Sequence, residues 1–238
     1  MEENNQANPE AIRNKMEKVL LIMVLDISGS MDGEPLDQLN AGVQKMKDYI
    51  LNDPTLATQM EVAIVGYHDY AEVLREFDLV MPQQDFPFLT AGGTTNIVAG
   101  MDKAIEMARE RKDWLRANNI RYYRPMIALI TDGVPTNSEA DIEALDNKIQ
   151  SEADAKGMFL LPFGVGDGAD FKTLLKLAHV SGDRDPVAYK LTDFDKFGEL
   201  FKFLSASAGA AVTAGGQAKP QLSADVATPV TIDMDLSI

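Results

Sequence analysis

The first strong pattern in the chain is seven consecutive apolar residues, Val19-Leu20-Leu21-Ile22-Met23-Val24-Leu25. An unbroken run rich in Val, Ile and Leu predicts a strand covered on both faces, as in a parallel sheet. This strand is placed at about 18–26. The period then changes. Leu36, Leu39, Val43, Met46 and Ile50 recur at spacings of three and four, which predicts an amphipathic helix over 35–51. Asn52-Asp53-Pro54 stops it. Two strands follow, at 60–67 and 72–81, and the short link between them predicts an antiparallel hairpin.

Beyond a glycine loop, Ala91-Gly92-Gly93-Thr94-Thr95-Asn96, the apolar positions Ile97, Met101, Ile105 and Ala108 again have helical spacing. A strand is predicted at 125–131 and a helix at 138–156, with Gly157 as its C-terminal cap. A strand at 158–165, a short helix at 171–178 and a short strand at 187–191 come next. A last helix carries Phe194, Phe197, Phe201 and Leu204, whose spacing assigns them to the core. Strand and helix alternate throughout, which defines an α/β chain built from βαβ units. The expected architecture is a doubly wound, mostly parallel six-stranded sheet with one antiparallel edge strand and helices on both faces.

Three segments are expected. Residues 1–17 form a polar lead, 18–208 a single domain, and 209–238 an extension dominated by Ala, Gly, Thr and Pro as far as Pro229. Residues 230–236 alternate apolar and polar, so they are a candidate edge strand for this chain or another.

Charge narrows the function. Among 238 residues, 22 Lys and Arg face 37 Asp and Glu, a formal net charge of −15. Nucleic-acid binding needs a basic face, so it is not expected, and an anionic membrane is disfavoured too. No cysteine is present, which removes disulfides, thiolate metal sites and Cys nucleophiles. The acidic start of the sequence is unlike a signal peptide, and no apolar run approaches the ~18 residues of a membrane span. A cytoplasmic protein is expected.

The chemistry concentrates where the first strand ends. Asp26, Ser28 and Ser30 alternate, so in extended backbone all three point the same way. They lie at a strand's carboxyl end, where open α/β sheets bind ligands. One carboxylate and two hydroxyls are hard oxygen donors, suited to Mg²⁺ or Mn²⁺ rather than Zn²⁺. Thr94 and Thr95 precede a helix, and Asp132 follows a strand, on the same side of the expected sheet. Each feature alone is an ordinary turn or helix start. Together, one metal ion collects three loops.

Other chemistries fit poorly. A calcium EF-hand beginning at Asp26 would need Gly and Glu where Met31 and Asp37 stand. No P-loop and no G-x-S-x-G elbow occur. Gly164-Val165-Gly166-Asp167-Gly168 reads as a turn. Only His68 and His179 are present, too few for a histidine zinc centre without cysteines. Asp32 and Glu34 either tune the metal's field or supply charge at a helix start. The stretch around Arg109, Arg111, Trp114, Arg116, Arg121, Tyr122, Tyr123 and Arg124 suits an acidic partner, or simply balances a helix end.

Asp26-Ile27-Ser28-Gly29-Ser30 is a D-x-S-x-S motif. With the Gly-Gly-Thr-Thr loop and the strand ending Ile130-Thr131-Asp132-Gly133, it closely resembles the von Willebrand factor type A domain over roughly residues 17–205. That resemblance implies a Rossmann-like fold and a metal-ion-dependent adhesion site. Its ligands here would be Asp26, Ser28, Ser30, Asp132 and one loop threonine. Counting back from Met101 favours Thr95 over Thr94, and some side chains act through water in that family.

Met31-x-Gly33-Glu34-Pro35-Leu36 and Thr131-Asp132-Gly133-x-Pro135-Thr136 further resemble the bacterial TerY-like branch, associated with tellurium resistance and stress operons. The resemblance implies a scaffold or regulator whose protein partner donates an Asp or Glu to the Mg²⁺ (or Mn²⁺). Kinase and phosphatase partners accompany that branch. The expected function is binding, not catalysis. The rival is a metal-dependent hydrolase or phosphatase at Asp26 and Asp132, with Asp32 or Asp69 as base.

Overall fold

A computed structural model describes residues 15–179, 186–191, 193–213 and 227–230. Among these residues, seven strands form one sheet: β1 (Val19–Asp26), β2 (Met60–Tyr67), β3 (Ala71–Leu79), β4 (Met126–Thr131), β5 (Phe159–Val165), β6 (Ala188–Leu191) and β7 (Ala227–Val230). Their spatial order is β3-β2-β1-β4-β5-β6-β7. The β1–β2, β1–β4, β4–β5 and β5–β6 pairs are parallel, whereas β3 and β7 join antiparallel at the two edges.

The helices are α1 (Glu34–Asn52), α2 (Leu56–Gln59), α3 (Ile97–Ala117), α4 (Glu139–Asp154), α5 (Phe171–Leu177) and α6 (Phe197–Thr213). All eight residues of β1 are buried, as the unbroken apolar run requires. Its side chains alternate between two cores. Leu21, Met23 and Leu25 pack with Leu39, Val43 and Met46 of α1 and with Phe197 and Phe201 of α6. Ile22 and Val24 pack on the other face with Ile97, Met101 and Ile105 of α3 and with Leu145 and Ile149 of α4. The chain therefore winds both ways from β1, and the direction changes between β1 and β4.

Three expectations change. Among the described residues the sheet has seven strands and two antiparallel edges, not six and one. The extra strand, Ala-Thr-Pro-Val, is short and carries a proline, which hides a strand signal and is tolerated at an edge. It ends where the predicted 230–236 strand begins, and 231–238 lie outside the described residues, as do 1–14 of the polar lead. The last helix runs to Thr213, because the alanine-rich stretch favours helix without an apolar period. A 3-10 turn over Phe194–Lys196 precedes it.

The cap of α4 is also displaced by one residue. Lys156, at φ 53°, takes the left-handed position. The Lys156 N–H reaches the Ala153 carbonyl at 3.0 Å, and the Gly157 N–H reaches the Glu152 carbonyl at 2.7 Å. This is a Schellman ending with glycine one place beyond its usual position.

Candidate metal centre

The change of winding direction opens a crevice at the carboxyl ends of β1 and β4, the usual ligand position in such sheets. Asp26 ends β1 and is fully buried. Its carboxylate takes three hydrogen bonds. The Ser28 N–H reaches Oδ1 at 2.9 Å, and the Thr131 hydroxyl and Tyr67 hydroxyl reach Oδ2 at 2.6 and 3.4 Å. The first of these folds the loop back so that Ser28 and Ser30 stand side by side, hydroxyls 3.1 Å apart. Ser30 then donates to Asp132 Oδ1 at 2.9 Å. Ser28, Ser30 and Asp132 thus form a chain of side-chain oxygen atoms, and Asp26 is tied to it through the Ser28 N–H.

The glycine loop is fastened to this loop by backbone. The Gly92 N–H donates to the Ile27 carbonyl at 2.9 Å, and the Gly29 N–H to the Gly93 carbonyl at 3.0 Å. A Cβ on Gly29 would lie 3.3 Å from that Gly93 oxygen, so the approach leaves little room for a side chain. Gly93 itself has φ 72°, a region glycine enters without a steric penalty.

The two threonines face different surroundings. Thr94 is exposed, and its N–H and hydroxyl both donate to Asp69 Oδ1, at 2.9 and 2.8 Å. Thr95 is 7% exposed. Its Oγ1 would lie 3.6 Å from a Cβ on Gly133, and Ser30 Oγ 3.9 Å from the same point. Thr95 therefore turns toward Ser30 and the loop of Asp132, while Thr94 turns toward the β2–β3 turn. The Thr136 N–H to Thr95 carbonyl bond, 2.9 Å, joins the second loop to the third.

Two orienting residues carried no signal in the sequence as read. Tyr67 pairs with Asp26 across the β1–β2 register, and Thr131 is the last residue of β4. Their role follows from strand register, which one sequence does not display.

Electrostatics point to a cation. Burial pushes the Asp132 carboxyl above its ordinary value and the Asp26 charge adds to this, while the Ser30 hydrogen bond opposes them. Burial, reinforced by the Asp26 charge, also holds the Tyr67 hydroxyl well above its usual value, so Tyr67 stays a neutral donor. Among the described residues, no salt bridge reaches Asp26 or Asp132. Nor do three His, Asp or Glu side chains gather into a cluster, so hydroxyls make up the rest of the oxygen set. Two carboxylates and three hydroxyls fit a hard divalent ion.

The remaining polar features take other partners. His179 pairs with Asp146 and His68 with Glu72. Arg111 lies over Trp114 and makes two 2.8 Å bonds to buried Glu61 near the start of β2. That arrangement sits at the opposite end of the sheet.

The chain belongs to the von Willebrand factor type A domain family, whose model matches residues 21–203. Its fold is similar to that of proximal thread matrix protein 1 from the mussel byssus, with TM-score 0.55 and 14% identity, over 82% of this chain and 48% of that one. The pilus adhesin SpaC from Lactobacillus rhamnosus GG gives 0.62 and 14%, over 82% of this chain and 31% of that one. The ArnB paralog VWA2 from Sulfolobus acidocaldarius gives 0.54 and 18%, over 81% and 46%. The chain thus spans half or less of each of these proteins, and at such identities the likeness is one of fold. No curated protein matches the chain. Among the described residues, no helix is long and apolar enough to cross a membrane.

Proposed function

We propose that this chain is a divalent-metal-dependent protein-binding module. Asp26, Ser28, Ser30, Thr95 and Asp132 would hold Mg²⁺ (or Mn²⁺), with Asp26 acting in part through the groups it orients. The bound ion would supply a positive centre on an acidic protein, to which an Asp or Glu of a partner could bind. The observation that carries this reading is the convergence of Asp26, Ser28, Ser30 and Asp132, with Ser30 Oγ 3.1 Å from Ser28 Oγ and 2.9 Å from Asp132 Oδ1, Asp26 Oδ1 held by the Ser28 N–H at 2.9 Å, and no salt bridge to either carboxylate among the described residues.

Binding is favoured over hydrolysis. Asp69, one of the two candidate bases beside Asp32, has its carboxyl held below the usual value by the two Thr94 hydrogen bonds, and a weakened base is poorly matched to proton abstraction near neutral pH. The loop sequences around Met31 and Asp132 support a place in the TerY-like branch. On that footing the chain is a cytoplasmic scaffold or regulator in a stress or tellurium-resistance complex, with a kinase or phosphatase as partner.

Calorimetric titration with Mg²⁺ and with Mn²⁺, wild type against Asp132→Ala, tests the reading. One-site binding abolished by the substitution is expected. A wild-type chain that takes up neither ion overturns it.

A further inference from the structure

We propose that the rim of this site selects a partner segment in which a single acidic residue is flanked by apolar and basic residues. The inference rests on the metal-dependent reading above and narrows its ligand. Among the described residues, five large apolar side chains are exposed, and three lie on the segments that build the site: Tyr70 at 57%, Phe88 at 73% and Val134 at 64%. Tyr70 ends the turn whose Asp69 grips Thr94. Phe88 belongs to the segment that leads into the glycine loop. Val134 stands two residues after Asp132, followed by Pro135.

The Tyr70 side chain and the backbone around Val134 are also held in place. The Tyr70 ring packs edge-on against His68, centroids 4.3 Å apart. Val134 is flanked by the Asp170 N–H to Gly133 carbonyl bond and by the Thr136 N–H to Thr95 carbonyl bond. Apolar surface held rigidly beside a polar site is what a docking partner covers.

Charge then selects what surrounds the central carboxylate. Asp32 and Glu34 are exposed where the first loop enters α1 and make no salt bridge among the described residues, and Asp69 is exposed on the neighbouring turn. A segment rich in acids would meet these three carboxylates as well as the chain's net charge of −15. Like charges across an interface penalise the wrong partner, while Lys or Arg beside the central acid meets complementary charge.

The test uses the full chain and three fluorescent synthetic peptides sharing one central Glu. The first flanks it with Leu and Lys, the second with Leu and Glu, the third with Ser and Lys. Fluorescence anisotropy is read in Mg²⁺ at low and at higher salt, and Mg²⁺ binding is measured separately for every variant. The first peptide is expected to bind at least about tenfold tighter than the second at low salt, with the gap shrinking as salt screens the rim. Tyr70→Ser with Val134→Ser equalises the first and third peptides. Asp32→Lys with Glu34→Lys reverses the preference between the first and second. Equal or tighter binding of the acid-flanked peptide overturns the inference. So does a chain that holds Mg²⁺ but captures none of the three. A chain that takes no Mg²⁺ instead overturns the metal-dependent reading itself.

Discussion

Ser30 Oγ donates to Asp132 Oδ1 at 2.9 Å across 102 positions of sequence. The bond exists because β1 and β4 are adjacent and parallel, so their carboxyl ends emerge together. It joins two loops that a metal would otherwise have to assemble. A site already closed by its own hydrogen bonds loses little conformational entropy on binding.

Removing the acidic partner of that bond should separate stability from binding. In chelator, Asp132→Asn is expected to be as stable as wild type or more so, since it relieves a part-buried carboxyl near the Asp26 charge and can still accept from Ser30. In millimolar Mg²⁺ the wild type should gain thermal stability by linkage and the variant should not. A thermal melt of both proteins with and without Mg²⁺ decides it, and an Mg²⁺-dependent rise in the variant would remove Asp132 from the ligand set.

The same residue fixes the sign of a pH effect. The Asp132 carboxyl titrates higher folded than unfolded. Its ionised form therefore disfavours the metal-free fold above the folded-state pKa. That penalty disappears as pH falls below the unfolded value of about 3.9. In chelator, the stability difference between Asp132→Asn and wild type should be widest near neutral pH and close in acid. Urea unfolding across pH measures it, and a difference that grows on acidification contradicts the assignment.

Thr94 and Thr95 should part on mutation. Thr95→Ala removes a buried hydroxyl beside Ser30 and is expected to weaken Mn²⁺ binding by tenfold or more. Thr94→Ala removes a bond to exposed Asp69, and its effect should stay within about threefold, since such surface contacts contribute little. Manganese titration followed by electron paramagnetic resonance compares them. The reverse order would make Thr94 the ligand.

That pair shows where sequence reasoning stops. The apolar run of β1 and the acid and hydroxyl spacing after it place the first loop, because burial on both faces and a strand's carboxyl end each leave a local mark. Adjacent threonines leave only a faint one, the count back from Met101 that favours Thr95. Which one faces Ser30 depends on the Asp69 grip from another strand and on the Gly93 turn. Tyr67 and Thr131 escape notice for a related reason: both orient Asp26 from neighbouring strands, and register is a property of pairing. β7 escapes because Pro229 and its short length suppress the local pattern, while its pairing with β6 is long-range. Lys156 escapes because glycine is the commoner left-handed residue and Gly157 stands next to it.

Thr131 offers a test of the buried carboxylate. Thr131→Val keeps the shape and removes the 2.6 Å bond to Asp26. A charged group left short of a donor in the interior is expected to cost about 2 kcal/mol of stability. Chemical denaturation reads the loss, and a neutral result would mean that the Ser28 and Tyr67 bonds alone satisfy Asp26.

Gly168 carries no ligand atom, yet its loop abuts that of Asp132. A Cβ on Gly168 would lie 2.8 Å from the Asp132 carbonyl oxygen, closer than such contacts are normally found, and that oxygen belongs to backbone. Gly168→Ala must therefore shift either its own loop or the Asp132 loop. The Asp132 side is tied to Ser30 by its side chain and to the following loop through the Gly133 carbonyl and the Asp170 N–H. A shift there moves the carboxylate relative to the two serines. Gly168→Ala is expected to weaken Mg²⁺ binding several-fold while costing about 1–3 kcal/mol of stability, the usual range for overpacking. Calorimetry at a temperature where the variant remains folded separates the two effects. Unchanged affinity would show that the Gly168 loop yields first and that Asp132 is held from the Ser30 side alone.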